Sequence, residues 1–147
     1  VSAKEDDNVS HLIEVIKKYL KDDIKYYGDD VITSSTIPFM AGELVREKLL
    51  QNTIEEIPHS ITCHCTNIEY KKDIVNINVD IIVDRPGIKK IIIGSGGEML
   101  KKIGSLARKD LEEMLDKKVY LELYVKVIEN WKDKERYLKE LGFFDYE

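Results

Sequence analysis

Gly94, Ser95, Gly96 and Gly97 are the residues in this chain whose types and spacing bear most directly on chemistry. They lie within Ile91–Ile103. There an apolar run turns through glycine and enters a helical pattern, with Leu100 and Ile103 on one face and Lys101 and Lys102 beside them. Glycine lets a backbone come close to a ligand with no side chain in the way. The helix start beyond it offers unpaired N–H groups and a partial positive charge, which suits phosphate. The turn is not a mononucleotide loop. That loop needs Gly-x-x-x-x-Gly-Lys followed by Ser or Thr, whereas Glu98 and Met99 follow Gly97 here. A dinucleotide fingerprint needs Gly-x-Gly-x-x-Gly, and the spacing of Gly94, Gly96 and Gly97 does not supply it.

The surrounding charge points to a polyanion. The chain carries a net −5, yet the window from Arg85 to Lys109 holds seven basic residues and one acidic residue, Glu98. That window is +6 and the remainder −11. A basic patch on an acidic chain can bind nucleic acid while the rest discourages non-specific association. Its cations are Arg85, Lys89, Lys90, Lys101, Lys102, Arg108 and Lys109. The competing reading is a solvated helix face.

Other candidates carry less. Cys63-His64-Cys65 invites a metal reading, but on a strand both thiols face one side and His64 the other. Structural zinc sites also need a second pair of ligands, so buried core thiols are expected. His11 and His59 have no partner pattern. Asp22-Asp23 and Asp29-Asp30 read as solvated linker charges. No Ser/His/Asp constellation is present, and neither a catalytic nor a metal site is expected. Tyr120 and Tyr124 share a strand face, where they could stack on bases or pack against a last helix; Trp131 is similarly ambiguous.

The elements that must position the turn follow from periodicity. At 147 residues, 43% hydrophobic and 35% charged, the chain reads as soluble and globular with a core of its own. No apolar run approaches the roughly 20 residues of a membrane span, and no signal peptide is visible. Two cysteines suggest a reducing cytoplasm. Asp7 or Asn8 caps a first helix with Val9, Leu12, Ile13, Ile16 and Leu20 at helical spacing. That helix needs a partner surface, so the opening looks like the end of a missing domain. Lys21 to Thr36 reads as linker.

A second helix is expected from about Pro38 to Gln51, with Met40, Leu44, Val45 and Leu49 inward; Pro58 lies in the break after it. Ile61, Cys63 and Cys65, then Val75, Ile77, Val79, Ile81 and Val83, alternate as two strands joined antiparallel through Lys71-Lys72-Asp73. Their apolar faces call for a helical layer. Ile88–Ile93 reads as a helical turn. The long helix after Gly97 buries Leu100, Ile103, Ala107, Leu111 and Met114, and Gly104 within it hints at close packing. A third strand runs Val119 to Val127. Asn130 caps a last helix carrying Tyr137, Leu138 and Leu141.

These residues resemble a known family. Ile88 to Leu115 is similar to the type II KH domain, an RNA-binding module that clamps a nucleic-acid backbone with a Gly-x-x-Gly turn. The whole chain resembles the C-terminal part of the Era family of bacterial GTPases. The resemblance is carried by Leu44-Val-Arg-Glu-Lys-Leu-Leu50, Glu55-Glu-Ile-Pro-His-Ser60, Arg85-Pro86-Gly87 and Gly94-Ser-Gly-Gly-Glu-Met-Leu-Lys-Lys-Ile-Gly104. It continues through Leu106-Ala-Arg-Lys-Asp110, Lys118-Val-Tyr-Leu-Glu-Leu123, Trp131 and Leu141-Gly142-Phe143.

The resemblance implies an α+β fold in the order αββααβ plus a C-terminal helix. It has a three-stranded sheet with helices packed on one face, preceded by the last helix of a truncated GTPase domain. Residues 1–22 would be the GTPase remnant, 23–36 the linker and 37–147 the KH domain. The implied partner is single-stranded RNA near the 3′ end of small-subunit ribosomal RNA, within assembly of the small ribosomal subunit. The implied location is cytoplasmic, with weak inner-membrane association. The implied RNA contacts are Gly94, Ser95, Gly96, Gly97, Arg85, Lys89, Lys90, Lys101 and Lys102, with Ile92, Ile93, Met99 and Ile103 as an apolar floor. Ser2, Ala3 and Lys4 resemble the last guanine-specificity box. The phosphate loop and switch elements are absent, so GTP and magnesium, used by the full-length family, are not expected on this chain. Two departures stand out: Ser95 where the family often has lysine, and Ser34-Ser-Thr36 in place of an Asp-Arg-Pro linker. The alternative function is a protein-interaction domain with a purely structural glycine turn.

Overall fold

The computed structural model describes residues 1–20, 35–53 and 61–134. The chain divides into two units between Ser34 and Ser35. In the first, Ser2 and Asp7 exchange two backbone hydrogen bonds of 3.0 Å and close a turn. Helix α1 follows at Val9–Tyr19. Asn8 occupies its cap position in a left-handed conformation (φ 57°), but its side chain makes no capping bond. Leu12, Ile13 and Ile16 are exposed along α1.

The second unit is built on a three-stranded sheet, β1 (Ile61–Tyr70), β2 (Ile74–Val83) and β3 (Lys118–Val127), in the order β1-β2-β3. β1 runs antiparallel to β2, as the short Lys71–Asp73 connection requires, and β3 runs parallel to it. A parallel neighbour needs a crossover. Helices α3 (Pro86–Ile93) and α4 (Glu98–Leu115) supply it.

Val75, Ile77, Val79, Ile81 and Val83 of the central strand are all 0% exposed. They share one core with Ala41, Val45 and Leu49 of α2 (Ile37–Asn52), Ile88 and Ile92 of α3, and Ile103, Ala107 and Leu111 of α4. The helices therefore cover one face of the sheet, as the alternation demands and as a type II KH fold has it.

Four local features differ from the simple periodic reading. A bulge at Thr66 shifts the β1 register between Cys65 and Asn67, which returns Ile68 to the core face opposite Ile77. The inward face of α2 is turned toward Ala41 and Gly42, leaving Met40 and Leu44 half-buried. A Cβ on Gly42 would lie 2.9 Å from the Cys63 carbonyl oxygen, so the helix can rest on β1 only with glycine there. Met114 is exposed at the end of α4, and Leu115 packs on the core instead.

Capping explains where α2 starts. Thr36 Oγ1 accepts from Phe39 N–H at 3.4 Å, and Pro38 sits in the first turn. Asn130 opens only a short 3₁₀ turn, Trp131–Asp133, without a side-chain cap. The expected last helix, the 55–60 motif, His59 and residues 21–34 of the linker lie outside the described residues.

Candidate nucleic-acid interface

Ile88 and Ile92, one helical turn apart, bury α3 against the core and fix the direction in which its C-terminal end delivers the chain. Pro86 occupies its first position after an extended Arg85. At the far end Gly94 adopts φ 74°, ψ 178°, a conformation that excludes other residues. Its N–H donates to Lys90 O at 2.9 Å. A Cβ at this position would lie 2.8 Å from Met99 Cβ. Backbone conformation and packing therefore both demand glycine.

The turn then faces outward. Ser95–Gly97 is a single 3₁₀ turn with Gly96 at φ 58° and Gly97 at φ 83°. It is closed by Gly97 N–H donating to Gly94 O at 3.3 Å and by Glu98 N–H donating to Ser95 O. A Cβ on Gly96 or Gly97 would meet no protein atom within 4 Å. The space in front of these two residues is open, so a ligand's backbone can enter it. Gly97 caps α4 and has no side chain to satisfy the first-turn N–H groups. The turn thus joins close backbone approach to the positive end of an 18-residue helix.

Cations flank the turn on both sides. Lys90, Lys101 and Lys102 are exposed and Lys89 is half-buried. Among the described residues none of the four forms an ion pair. Arg85 differs, because its Nε lies 3.6 Å from Asp84 Oδ1. Arg108 is also engaged, with Nη1 3.0 Å from Glu112 Oε1. The available charge is therefore carried by the lysines more than the sequence count suggests.

The expected apolar floor needs correction. Ile92 and Ile103 are 0% exposed, because each faces the sheet and completes the core. No base can rest on them. Ile93 and Met99 are half-buried, as is Leu100. Leu121, Leu123 and Val125 of β3 are half-buried as well. β3 is an edge strand, and both α3 and α4 pack against it. A Cβ on Gly104 would lie 3.4 Å from Leu123 Cδ1, so this glycine brings α4 close to β3. That this strand, rather than another, lies at the edge beside the turn is not visible from alternation.

Tyr120 and Tyr124 stand opposite Asn76 and Asp80, on the sheet face turned away from the helices. Both are exposed. Tyr120 Oη donates to Glu122 at 3.2 Å, and the carboxylate raises its pKa.

Cys65 is buried and Cys63 half-buried, and both are free thiols. Burial pushes both thiols up, Cys63 strongly and Cys65 against an opposing hydrogen bond to Asn67 O, which disfavours the thiolate that would act as nucleophile or ligand. Among the described residues no group of three or more His, Cys, Asp or Glu could hold a metal ion. Ser2 belongs to the other unit, where its Oγ accepts from Glu5 N–H at 3.3 Å.

Residues 56–132, which span the turn, the sheet and the helices around it, match the KH domain family. The chain belongs to that family. More particularly, it is similar to the KH-bearing C-terminal part of Era. It is 39% identical over 92% of its length to Aquifex aeolicus Era, solved as a variant bound to GDP and aluminium fluoride, with a TM-score of 0.85. It is equally 39% identical over 92% of its length, with a TM-score of 0.86, to Era in complex with MgGDPNP and nucleotides 1506–1542 of 16S ribosomal RNA. In both comparisons the chain spans 46% of the other chain's length.

Proposed function

We propose that this chain is the RNA-binding part of an Era-family GTPase, and that it holds single-stranded RNA near the 3′ end of small-subunit ribosomal RNA. One observation carries the reading. The glycine turn presents open space at Gly96 and Gly97, and unpaired lysines stand on both sides of it. A phosphate approaches the turn backbone and the α4 N-terminus, Lys89 and Lys90 meet the strand on one side, and Lys101 and Lys102 meet it on the other. Unstacked bases lie over Ile93, Met99, Leu100 and the β3 edge, whose half-buried apolar side chains provide the surface that Ile92 and Ile103 do not. The solved Era complex with 16S ribosomal RNA supports the choice of partner.

The wider role follows from the same likeness: small-subunit assembly in the cytoplasm, with weak peripheral attachment to the inner membrane. GTP binding and hydrolysis, with magnesium, belong to the GTPase domain of such proteins, and this chain performs neither. No GTP-dependent signal is expected when the chain is titrated with GTP and magnesium; tight binding would contradict the assignment.

The principal test substitutes Ser95→Asp and Gly96→Asp together. Gly96 has a left-handed conformation that aspartate tolerates better than most residues, and neither change meets a neighbour in the core. Binding to an oligonucleotide matching the ribosomal RNA 3′ end is expected to be lost, with far-UV circular dichroism unchanged. Retained binding would reject the turn as the contact and leave it a structural feature of a protein-interaction domain.

A further inference from the structure

The sheet face turned away from the helices has a chemistry of its own. The alternation that turns Leu121 and Leu123 to the core puts Tyr120, Glu122 and Tyr124 of β3 on this face. Both tyrosines are exposed and Glu122 is half-buried between them. Asn78 Nδ2 of β2 donates to Glu122 Oε2 at 2.7 Å, and Tyr120 Oη donates to Oε1 at 3.2 Å. These two bonds fix the carboxylate in one orientation, so a ligand need not order it. Neither donor is charged. Among the described residues Glu122 forms no ion pair, whereas the other two carboxylates of this face do. Asp80 pairs with Lys126, and Glu69 Oε2 lies 3.3 Å from Lys71 Nζ. The uncompensated charge of Glu122 is felt at Tyr120, whose phenol pKa it raises.

Charge selects the class of partner. The basic window of the chain surrounds the glycine turn, among helices that pack on the opposite face of the sheet. Here a phosphate meets an uncompensated carboxylate instead. The two tyrosines, four residues apart on one strand, stand about 13 Å from each other, too far for adjacent bases to stack on both. A flat cation suits the arrangement. A guanidinium pairs with a carboxylate through parallel N–H donors and stacks on a tyrosine ring. Lysine supplies the charge but not the plane. An extended protein segment presents side chains on one side every second residue, about 6.7 Å apart. The same step separates Tyr120, Glu122 and Tyr124 along β3.

We infer that this face docks an extended, arginine-bearing segment of a partner protein, with a guanidinium on Glu122 and the rings of Tyr120 and Tyr124 beside it. The inference stands apart from the RNA-binding reading. The glycine turn and this face lie on different sides of the sheet, so the chain can hold both partners at once.

The probe is a fluorescent peptide with arginine at alternate positions and serine between, titrated with the full chain and followed by anisotropy. A lysine peptide of the same length and charge is the comparison. The arginine peptide is expected to bind about fivefold more tightly than the lysine one. Glu122→Gln should weaken its binding about tenfold and Tyr124→Ala about threefold. Tyr124→Phe keeps the ring and should bind as the parent does. Glu113→Gln removes the same charge from the exposed side of α4 and should leave binding unchanged. Affinity of every variant for the ribosomal RNA oligonucleotide is expected to stay at the parent level. Should Glu122→Gln disturb the sheet, the arginine–lysine comparison and the Tyr124 variants need no change at Glu122. Absent binding, equal binding of the two peptides, or equal weakening by Glu113→Gln and Glu122→Gln would overturn the inference; the last would show only attraction to net negative charge. Loss of RNA affinity in Tyr124→Ala would overturn it too and give the face to RNA.

Discussion

Gly94, Gly96 and Gly97 stand together in the sequence, yet their physical roles differ. Gly94 is held by its backbone angles and by Met99, whose Cβ leaves no room for a side chain. Gly96 and Gly97 need only their positive φ angles and have open space beyond. Gly94→Ala is therefore expected to destabilise the protein by about 3 kcal/mol, from a strained conformation and a clash together. Gly96→Ala should cost about 1 kcal/mol, and denaturant unfolding of the two variants checks the contrast. The motif as such was plain in the sequence, as were the flanking lysines. The division of labour within it was not, because it depends on where Met99 lies in the folded chain. Ile92 and Ile103 make the same point in reverse. Their neighbourhood in the sequence suggested ligand contact, but their direction relative to the sheet buries them.

At the scale of elements, the order helix-strand-strand-helix-helix-strand was legible because each segment keeps a clean period of its own. What joins the elements was less so. Gly42 allows α2 to rest on the β1 backbone at Cys63. Gly42→Ala should push the helix away and cost about 2 kcal/mol, measurable as a lower midpoint of urea unfolding.

Glu112 ties the end of α4 to the start of β3. It accepts from Val119 N–H at 3.2 Å and pairs with Lys118 at 3.7 Å and Arg108 at 3.0 Å. The backbone hydrogen bond, then Lys118 and Arg108, lower its pKa against an opposing desolvation. A lowered carboxylate contributes stability that is complete above the ordinary glutamate value of about 4.3. That contribution is lost as pH falls through the lower folded-state value. Glu112→Gln should therefore reduce the melting temperature near neutrality and narrow its gap from the parent as the solution is acidified below that range. A gap independent of pH would show that the charge is not involved. The bulge at Thr66 belongs to the same class of feature: one extra residue in a strand has no signature in composition, but it decides that Ile68 faces the core.

Across the whole molecule, charge is segregated. A basic surface around the glycine turn sits on a chain of net −5. If the four lysines at the turn neutralise phosphates of a single strand, the logarithm of the binding constant should fall with the logarithm of salt concentration at a slope of about −3. Replacing Lys101 and Lys102 by alanine should bring it to about −1.5. Fluorescence anisotropy across a salt series reads both, and a slope near zero would argue for an apolar protein partner instead.

The sequence alone determined the local matters: which segments are helical, which alternate, where glycine interrupts them, and where the positive charge lies. These depend on residues within a few positions of one another, so periodicity and composition suffice. The tertiary structure decided the rest. It placed β3 parallel at the sheet edge, where Leu121, Leu123 and Val125 border the turn's side of the sheet. It buried Ile92 and Ile103 and brought Asp84 beside Glu129 across two strand ends. Each of these is a contact between positions far apart in the chain or a direction set by packing against a distant element. No local period encodes such a contact, and it exists only once the core has formed.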